Sequence, residues 1–172
     1  MDKQTIAYSV IGGILLFLAM SLSTIVEASG LSYTEEMLQS HEGVSLRVYK
    51  DHLGNLTVGV GHLVTKSDNL SEGDSIDYER MHAMFRKDVV EARRVAKTLV
   101  TGFEELHWKA RVVLTNMSFQ LGYNRLKAFK KTIALLENKE YTKASVEMLN
   151  SDWAKQTPNR AKELSVLMGS IN

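Results

Sequence analysis

Three side chains that can transfer protons or hold a water lie close together in the segment HEGVSLRVYKDHLGNLTVGVGH, residues 41–62. Glu42 precedes Asp51 by nine positions, and Thr57 follows six positions later. Two carboxyl groups can hydrolyse a glycosidic bond when one protonates the leaving oxygen and the other activates a water. Glu42 is therefore a candidate acid and Asp51 a candidate base, and the Thr57 hydroxyl is a candidate for holding the water.

Both acids also have an ordinary structural explanation. Glu42 can be a solvated residue at a helix end, and aspartate is common in turns such as the one at Asp51. The negative end of a helix disfavours charge on a carboxylate, which suits Glu42 as a proton donor, whereas Asp51 in a solvated turn keeps its charge. Many acid pairs share this spacing, so residue type and spacing alone favour the structural explanation.

The sequence around Glu42 predicts that it lies in the last turn of a helix. Ser32 and Glu35 have the spacing of a capping box, which marks a helix start. Gly43 is a typical residue just beyond a helix end. We therefore predict a helix at about residues 33–42.

The next segment has the two-residue alternation of a β-hairpin. Residues 45–50 and 56–62 alternate like strands, and the residues between them are typical of a turn. In the second strand Thr57 shares a face with Gly59 and Gly61. A face reduced to glycine allows another group to approach the backbone closely.

The rest of the chain has the apolar periodicity of helices. One predicted helix runs from a capping residue, Asp77, to Val100, and Asp88 falls within its apolar stripe. A buried acid needs a partner, since removing one member of a buried pair costs about 3 to 5 kcal/mol. Further helices are predicted at 103–122, 126–136, 141–149 and from Pro158 onward.

Composition argues against several kinds of function. The 172 residues include no cysteine, which removes thiol nucleophiles and disulfides. The five histidines have no metal-ligand spacing and the glycines form no phosphate-binding loop, so we predict neither a metal nor a cofactor. A net charge of +1 is far from the basic surface of a nucleic-acid-binding protein, so we predict no nucleic acid partner. We expect a monomer.

The N-terminus is apolar enough to predict a transmembrane helix. Residues 4–26 carry no charge, and about 20 residues suffice to cross the inner membrane. Lys3 before this stretch and Glu27 after it predict a cytoplasmic N-terminus with the rest of the chain exported. Residues 1–28 are therefore a predicted membrane segment, and 29–172 a folded domain. A permanent anchor, a releasable signal-anchor and a cleaved signal peptide all remain possible.

A longer pattern contains the candidate acids. The order H-E-G-x-S-L-R-x-Y-x-D-x-x-G-x-x-T-x-G-x-G-H closely resembles the T-even phage lysozyme family, the muramidase endolysins. The likeness continues through FQLG at 119–122 and QTPNR at 156–160. It covers about residues 33–164, and several separate motifs agree in order.

The resemblance implies an α+β, lysozyme-like fold. The small lobe, at about 43–76, would contain a short antiparallel β-hairpin or sheet. A long connecting helix would lead into a larger all-helical lobe at about 77–172, which would also include the helix at 33–42. With the predicted N-terminal transmembrane helix, this is the fold class we expect.

The resemblance also implies an activity and its catalytic residues. Glu42, Asp51 and Thr57 would hydrolyse the β-1,4 bond between N-acetylmuramic acid and N-acetylglucosamine of peptidoglycan, with inversion at the anomeric carbon. Inversion needs room for a water, so the two carboxyl groups should lie about 6.5 to 9.5 Å apart.

Further positions correspond to the family's binding and supporting residues. Arg160 would pair with Glu42, and a His62–Asp88 ion pair would supply the partner that Asp88 needs. Phe119 is equally compatible with a place in the core. The positions implied to bind substrate are Leu63, Phe119, Gln120, Thr132 and Glu147.

The apolar N-terminus resembles that of the signal-anchor-release endolysins. This resemblance implies a protein tethered in the host inner membrane by residues 4–26, with its catalytic domain in the periplasm or later released there, that lyses the host at the end of phage infection. The alternative is a membrane-tethered module that binds the cell wall without turnover. The presence of Glu42, Asp51 and Thr57 favours the enzyme.

Overall fold

In the computed structural model, which describes residues 30–172, a helix leads directly into a small sheet. Helix α1 covers residues 30–42. It already includes residue 30, so the predicted start at the Ser32 capping box is wrong. Gly43 follows with a φ of 72°, a left-handed conformation that costs glycine little, and the helix ends there as predicted.

The sheet is antiparallel and has three strands in chain order among the described residues. Gly59 and Gly61, with φ values of 67° and 73°, turn the chain inside the predicted second strand and divide it in two. Thr57 pairs with Tyr49 on one side and with Leu63 on the other. The strands are β1 (Ser45–Lys50), β2 (Leu56–Gly59) and β3 (His62–Leu63).

Helices account for most of the remaining described chain. Asp77 caps the first of them, because its carboxylate accepts a hydrogen bond from the backbone N–H of Arg80. Residues 103–105 form a 3-10 turn instead of the predicted start of a helix. The helices are α2 (Tyr78–Leu99), α3 (Trp108–Leu126, kinked at Gly122), α4 (Lys130–Glu137), α5 (Tyr141–Leu149), α6 (Asp152–Gln156) and α7 (Pro158–Gly169).

Two hydrophobic cores share helices α1 and α2. Leu38 of α1 and Phe85 of α2 belong to the core beneath the sheet. Met37 of α1 and Ala96 of α2 belong to the larger core formed with helices α3 to α7. Neighbouring side chains of the same helix thus pack into different lobes, and α1 and α2 fix the position of each lobe against the other.

The predicted fold class, α+β with an N-terminal transmembrane helix, is wrong as stated. The described chain is mostly helical and lysozyme-like, with one small sheet of three short strands. β2 has only four residues, because the chain turns at Gly59 and Gly61, which have positive φ values. No helix within residues 30–172 is both long and apolar enough to cross a membrane. The stretch predicted to do so, 4–26, lies outside the described residues.

The packing of α2 predicts opposite outcomes for one substitution at two neighbouring positions. Val89 is fully buried in the core beneath the sheet, whereas Val90 is 62% exposed. We expect Val89→Ala to lower the free energy of unfolding by about 2 kcal/mol, because it removes buried methyl groups and leaves a cavity. Val90→Ala should change it by less than about 0.5 kcal/mol. Urea denaturation measures both, and equal effects would contradict this assignment of core and surface.

Candidate active site

Glu42 is the last residue of α1, and helix α7 holds its side chain. Arg160 Nη1 donates a hydrogen bond to Glu42 Oε1 across 2.6 Å. The Arg160 side chain is 7% exposed and that of Glu42 is 25% exposed, so solvent reaches the carboxyl group. The other oxygen, Oε2, faces Gly61, where a Cβ atom would lie 3.6 Å from it. Glycine at this position therefore leaves space beside the carboxyl group.

The guanidinium of Arg160 is itself fixed by helix α3. Its Nε donates to Asn116 Oδ1 at 2.9 Å, and its Nη2 donates to the Asn116 carbonyl oxygen at 3.3 Å. Asn116 is fully buried. Glu42, Arg160 and Asn116 thus form one polar chain across α1, α7 and α3. Sequence reasoning missed Asn116, although a polar residue within the apolar stretch 112–117 was a usable signal.

Asp51 is held within the turn between β1 and β2. Its Oδ1 accepts hydrogen bonds from the backbone N–H groups of Leu53 and Asn55, both at 2.8 Å, and its Oδ2 accepts one from Asn55 Nδ2 at 3.1 Å. The hydrogen bond from the backbone N–H of Asn55 is the largest influence on the pKa of Asp51. Together with the other hydrogen bonds of the turn it outweighs the opposing effect of desolvation, so this pKa lies below its ordinary value. Asp51 is therefore a carboxylate at neutral pH, as a base must be.

Thr57 and Asp51 meet at the same turn residue. The Thr57 hydroxyl is buried and donates to the carbonyl oxygen of Asn55 at 3.3 Å. Asn55 therefore contacts the Asp51 carboxylate through its N–H groups and the Thr57 hydroxyl through its carbonyl. The hydroxyl oxygen keeps its lone pairs, with which it can accept a hydrogen bond from a water.

His62 lies between two carboxylates. Its Nδ1 is 2.7 Å from Asp88 Oδ2, and its Nε2 is 3.3 Å from Asp68 Oδ2. The hydrogen bond with Asp88 is the main reason that the pKa of His62 lies above its ordinary value. Burial raises the pKa of Asp68, but hydrogen bonds from Thr65 and His62 outweigh it and lower that pKa to about 2. Sequence reasoning missed Asp68, the last residue of a three-residue 3-10 helix (Lys66–Asp68), which is too short to show a periodic pattern.

The residues predicted to bind saccharide divide between two cavities. Leu63 and Phe119 line one of about 770 Å³, together with His62 and Asp88. Phe119 also packs edge-on against Phe85, with ring centres 6.0 Å apart, so it belongs to both the cavity and the core.

The second cavity, of about 640 Å³, is lined by Thr132 and Glu147. Gln120 adjoins it, because Gln120 Oε1 accepts a hydrogen bond at 2.7 Å from Nε1 of Trp153, which lines that cavity. Glu42, Asp51 and Thr57 line neither of these two cavities. The structure therefore does not bring all the predicted residues together in one cavity.

Comparison with known proteins extends the similarity over most of the chain. The phage lysozyme family profile matches residues 39–168. Probable T4-type lysozyme 1 of Dictyostelium discoideum is 33% identical over 83% of this chain and 98% of its own length. Probable T4-type lysozyme 2 of the same organism is 31% identical over 78% of this chain and 92% of its own. Peptidoglycan hydrolase gp36 of Pseudomonas phage phiKMV is 31% identical over 73% of this chain and 14% of its own.

The His62–Asp88 contact predicts a pH-dependent contribution to stability. Because the pKa of His62 is raised in the folded state, this contribution is complete below pH 6.5 and is lost as pH rises through the folded pKa. We expect Asp88→Asn to lower the pKa of His62. It should also lower the free energy of unfolding by about 1 to 2 kcal/mol at about pH 6, where His62 is protonated and Asp88 is ionised, and by less at about pH 9.

NMR titration of the His62 ring and denaturation at both pH values measure these effects. Asp68→Asn is the matched control. It should lower the pKa of His62 less, because the Asp88 hydrogen bond has the larger influence on that ring. An unchanged His62 titration in Asp88→Asn would contradict this account.

Proposed function

Because the chain belongs to the phage lysozyme family, we propose that it is a lysozyme that hydrolyses the β-1,4 bond between N-acetylmuramic acid and N-acetylglucosamine in peptidoglycan. Relatives named as lysozymes and as a peptidoglycan hydrolase support a glycoside hydrolase that acts on the cell wall. The main structural support is that the fold holds both candidate acids in fixed positions. Arg160 holds Glu42 through Oε1 while Oε2 faces Gly61, and hydrogen bonds within its own turn keep Asp51 ionised.

The proposed mechanism gives each of the two carboxyl groups one proton transfer. Glu42, protonated on Oε2, donates its proton to the glycosidic oxygen as the bond from that oxygen to the anomeric carbon breaks. A water held by Thr57 attacks the anomeric carbon from the opposite face and loses a proton to Asp51. Such a displacement inverts the anomeric configuration and needs the carboxyl groups about 6.5 to 9.5 Å apart.

We assign substrate contacts to both cavities. A glycan strand is a polymer that extends on either side of the bond being cleaved, so its sugars can occupy more than one cavity. Leu63 and Phe119 would contact sugars in the larger cavity. Gln120, Thr132 and Glu147 would do so at the smaller one.

We further propose that the protein acts as a monomer on the periplasmic side of the host inner membrane and lyses the host at the end of phage infection. Peptidoglycan lies on that side, so the enzyme has to reach it. Residues 1–28 would direct this export. The similarity to the phage hydrolase supports a role in infection.

Replacing the proposed acid or base should abolish cell-wall hydrolysis. We expect Glu42→Gln and Asp51→Asn each to lower the rate at least about 100-fold, as losing a general acid or base does. The measurement is zymography on Gram-negative peptidoglycan together with the rate of release of reducing ends. The matched controls are Glu36→Gln on α1 and Asp74→Asn, and both should retain activity. The Asp74 carboxylate, like that of Asp51, accepts a hydrogen bond from a backbone N–H group.

The same experiment distinguishes the enzyme from a binding module. Hydrolysis by Glu42→Gln at the wild-type rate would refute the assignment of the acid. Wild-type protein that binds peptidoglycan without releasing reducing ends would instead support the module without turnover.

The stereochemistry of the first product tests the water-mediated mechanism separately. Starting from a β-linked oligosaccharide, inversion should produce the α-anomer first, before mutarotation mixes the anomers. Proton NMR of the anomeric signals during the first minutes records this. A β-anomer as the first product would show retention and would exclude Asp51 as a base acting through water in a single displacement.

A further inference from the structure

The residue before Glu42 makes a second contact between the same two helices. His41 Nε2 lies 2.8 Å from Oε2 of Glu163 on α7. An ionised carboxylate can only accept a hydrogen bond, so the imidazole nitrogen donates. The His41 side chain is 11% exposed and that of Glu163 is 56% exposed. The ring is therefore enclosed by protein, and its partner reaches it from the surface of α7.

The two contacts lie side by side. Glu163 follows Arg160 by three positions, so both project from the same face of α7 on successive turns. The last two residues of α1 therefore each contact a different turn of α7. The two contacts have opposite charge arrangements. In one, α1 supplies the carboxylate and α7 the cation, and in the other α7 supplies the carboxylate.

The position of these residues in α1 makes a second contact useful. The final carbonyl groups of a helix have no partner within it, and helix ends open more easily than helix centres. Gly43 follows with a positive φ, and the chain then leaves for β1. The contact with Arg160 fixes the carboxyl group of Glu42, but the backbone that carries that carboxyl group also needs to be fixed.

We propose that His41 and Glu163 are positioning residues for Glu42, holding the last turn of α1 against α7 so that the carboxyl group stays on Arg160 and beside Gly61. The proposal rests on the proposed function of Glu42 as proton donor. His41 acts through the backbone of the adjacent residue and contacts no substrate. The residues would therefore affect the chemical step and leave substrate binding unchanged.

Steady-state kinetics on a soluble oligosaccharide of alternating N-acetylmuramic acid and N-acetylglucosamine tests this proposal. We expect His41→Ala and Glu163→Ala each to lower kcat by about tenfold with KM unchanged, because a small misplacement of a catalytic group costs rate. The double variant should be no slower than either single one, since both remove the same contact. His41→Gln keeps a side-chain N–H donor and should recover most of the rate.

Two controls separate the possible explanations. Arg86 Nε on α2 lies 3.9 Å from Glu35 Oε1 on α1. Arg86→Met removes this contact between the two helices and should leave kcat unchanged. Glu42→Gln reports on the proposed function itself, because activity in that variant would refute the proton donor. Each rate is divided by the concentration of folded protein, which circular dichroism measures. Glu163→Ala keeps the test open if His41→Ala does not fold, because Glu163 is exposed.

The positioning role is overturned if Glu42→Gln is inactive while His41→Ala and Glu163→Ala keep the wild-type kcat. It is also overturned if these variants raise only KM, if the losses in kcat simply multiply in the double variant, or if His41→Gln is as slow as His41→Ala. A fall in kcat in both single variants that does not deepen in the double variant, with recovery in His41→Gln, supports it.

Discussion

The proposed site depends on the contacts of one buried arginine, Arg160, which lies between three helices. Removing a guanidinium from water costs several kcal/mol unless hydrogen bonds and an opposite charge replace the lost hydration. Two oxygens of Asn116 accept hydrogen bonds from Arg160, and Glu42 supplies the opposite charge. Helices α1, α3 and α7 must therefore pack in one arrangement, and the large apolar core formed around α3 and α7 provides it.

The sharing of α1 and α2 between two cores connects this arrangement to the sheet. Leu38 packs under the sheet, while its neighbour Met37 packs into the helical lobe. The helix that ends at Glu42 is thus held by both lobes. After two residues the chain enters β1, and Asp51 directly follows the end of that strand. The candidate acid and base therefore lie at opposite ends of one short segment that begins where the lobes join.

Local patterns predicted well the elements whose formation depends on nearby residues. Residues 45–50 and 141–149 form the predicted strand and helix, because alternation or helical periodicity continues throughout each. The second strand was predicted too long because its alternation continues through Gly59 and Gly61, whose positive φ values are not visible in a hydrophobic pattern. Helix α6 was missed because five residues are too few to show a period.

The site was predictable only in part, for a related reason. The contacts of Arg160 with Glu42 and of His62 with Asp88 were expected from the resemblance to a family, since no local pattern implies either. Asn116 was missed because its role depends on a side chain 44 residues away. Contacts between distant segments follow from how the helices pack, and the sequence pattern of one helix does not contain that information.

The two candidate acids are held in different ways, and this difference bears on how the site responds to change. The hydrogen bonds to Asp51 come from Leu53 and Asn55 in its own turn, so its charge depends on local structure. The position of Glu42 depends on Arg160, 118 residues away, and so on the packing of the helical lobe. Loosening that packing would displace the proposed proton donor first, while the hairpin would still hold the proposed base in its ionised form. Under the proposed mechanism, global stability and activity are therefore coupled through Glu42 more than through Asp51.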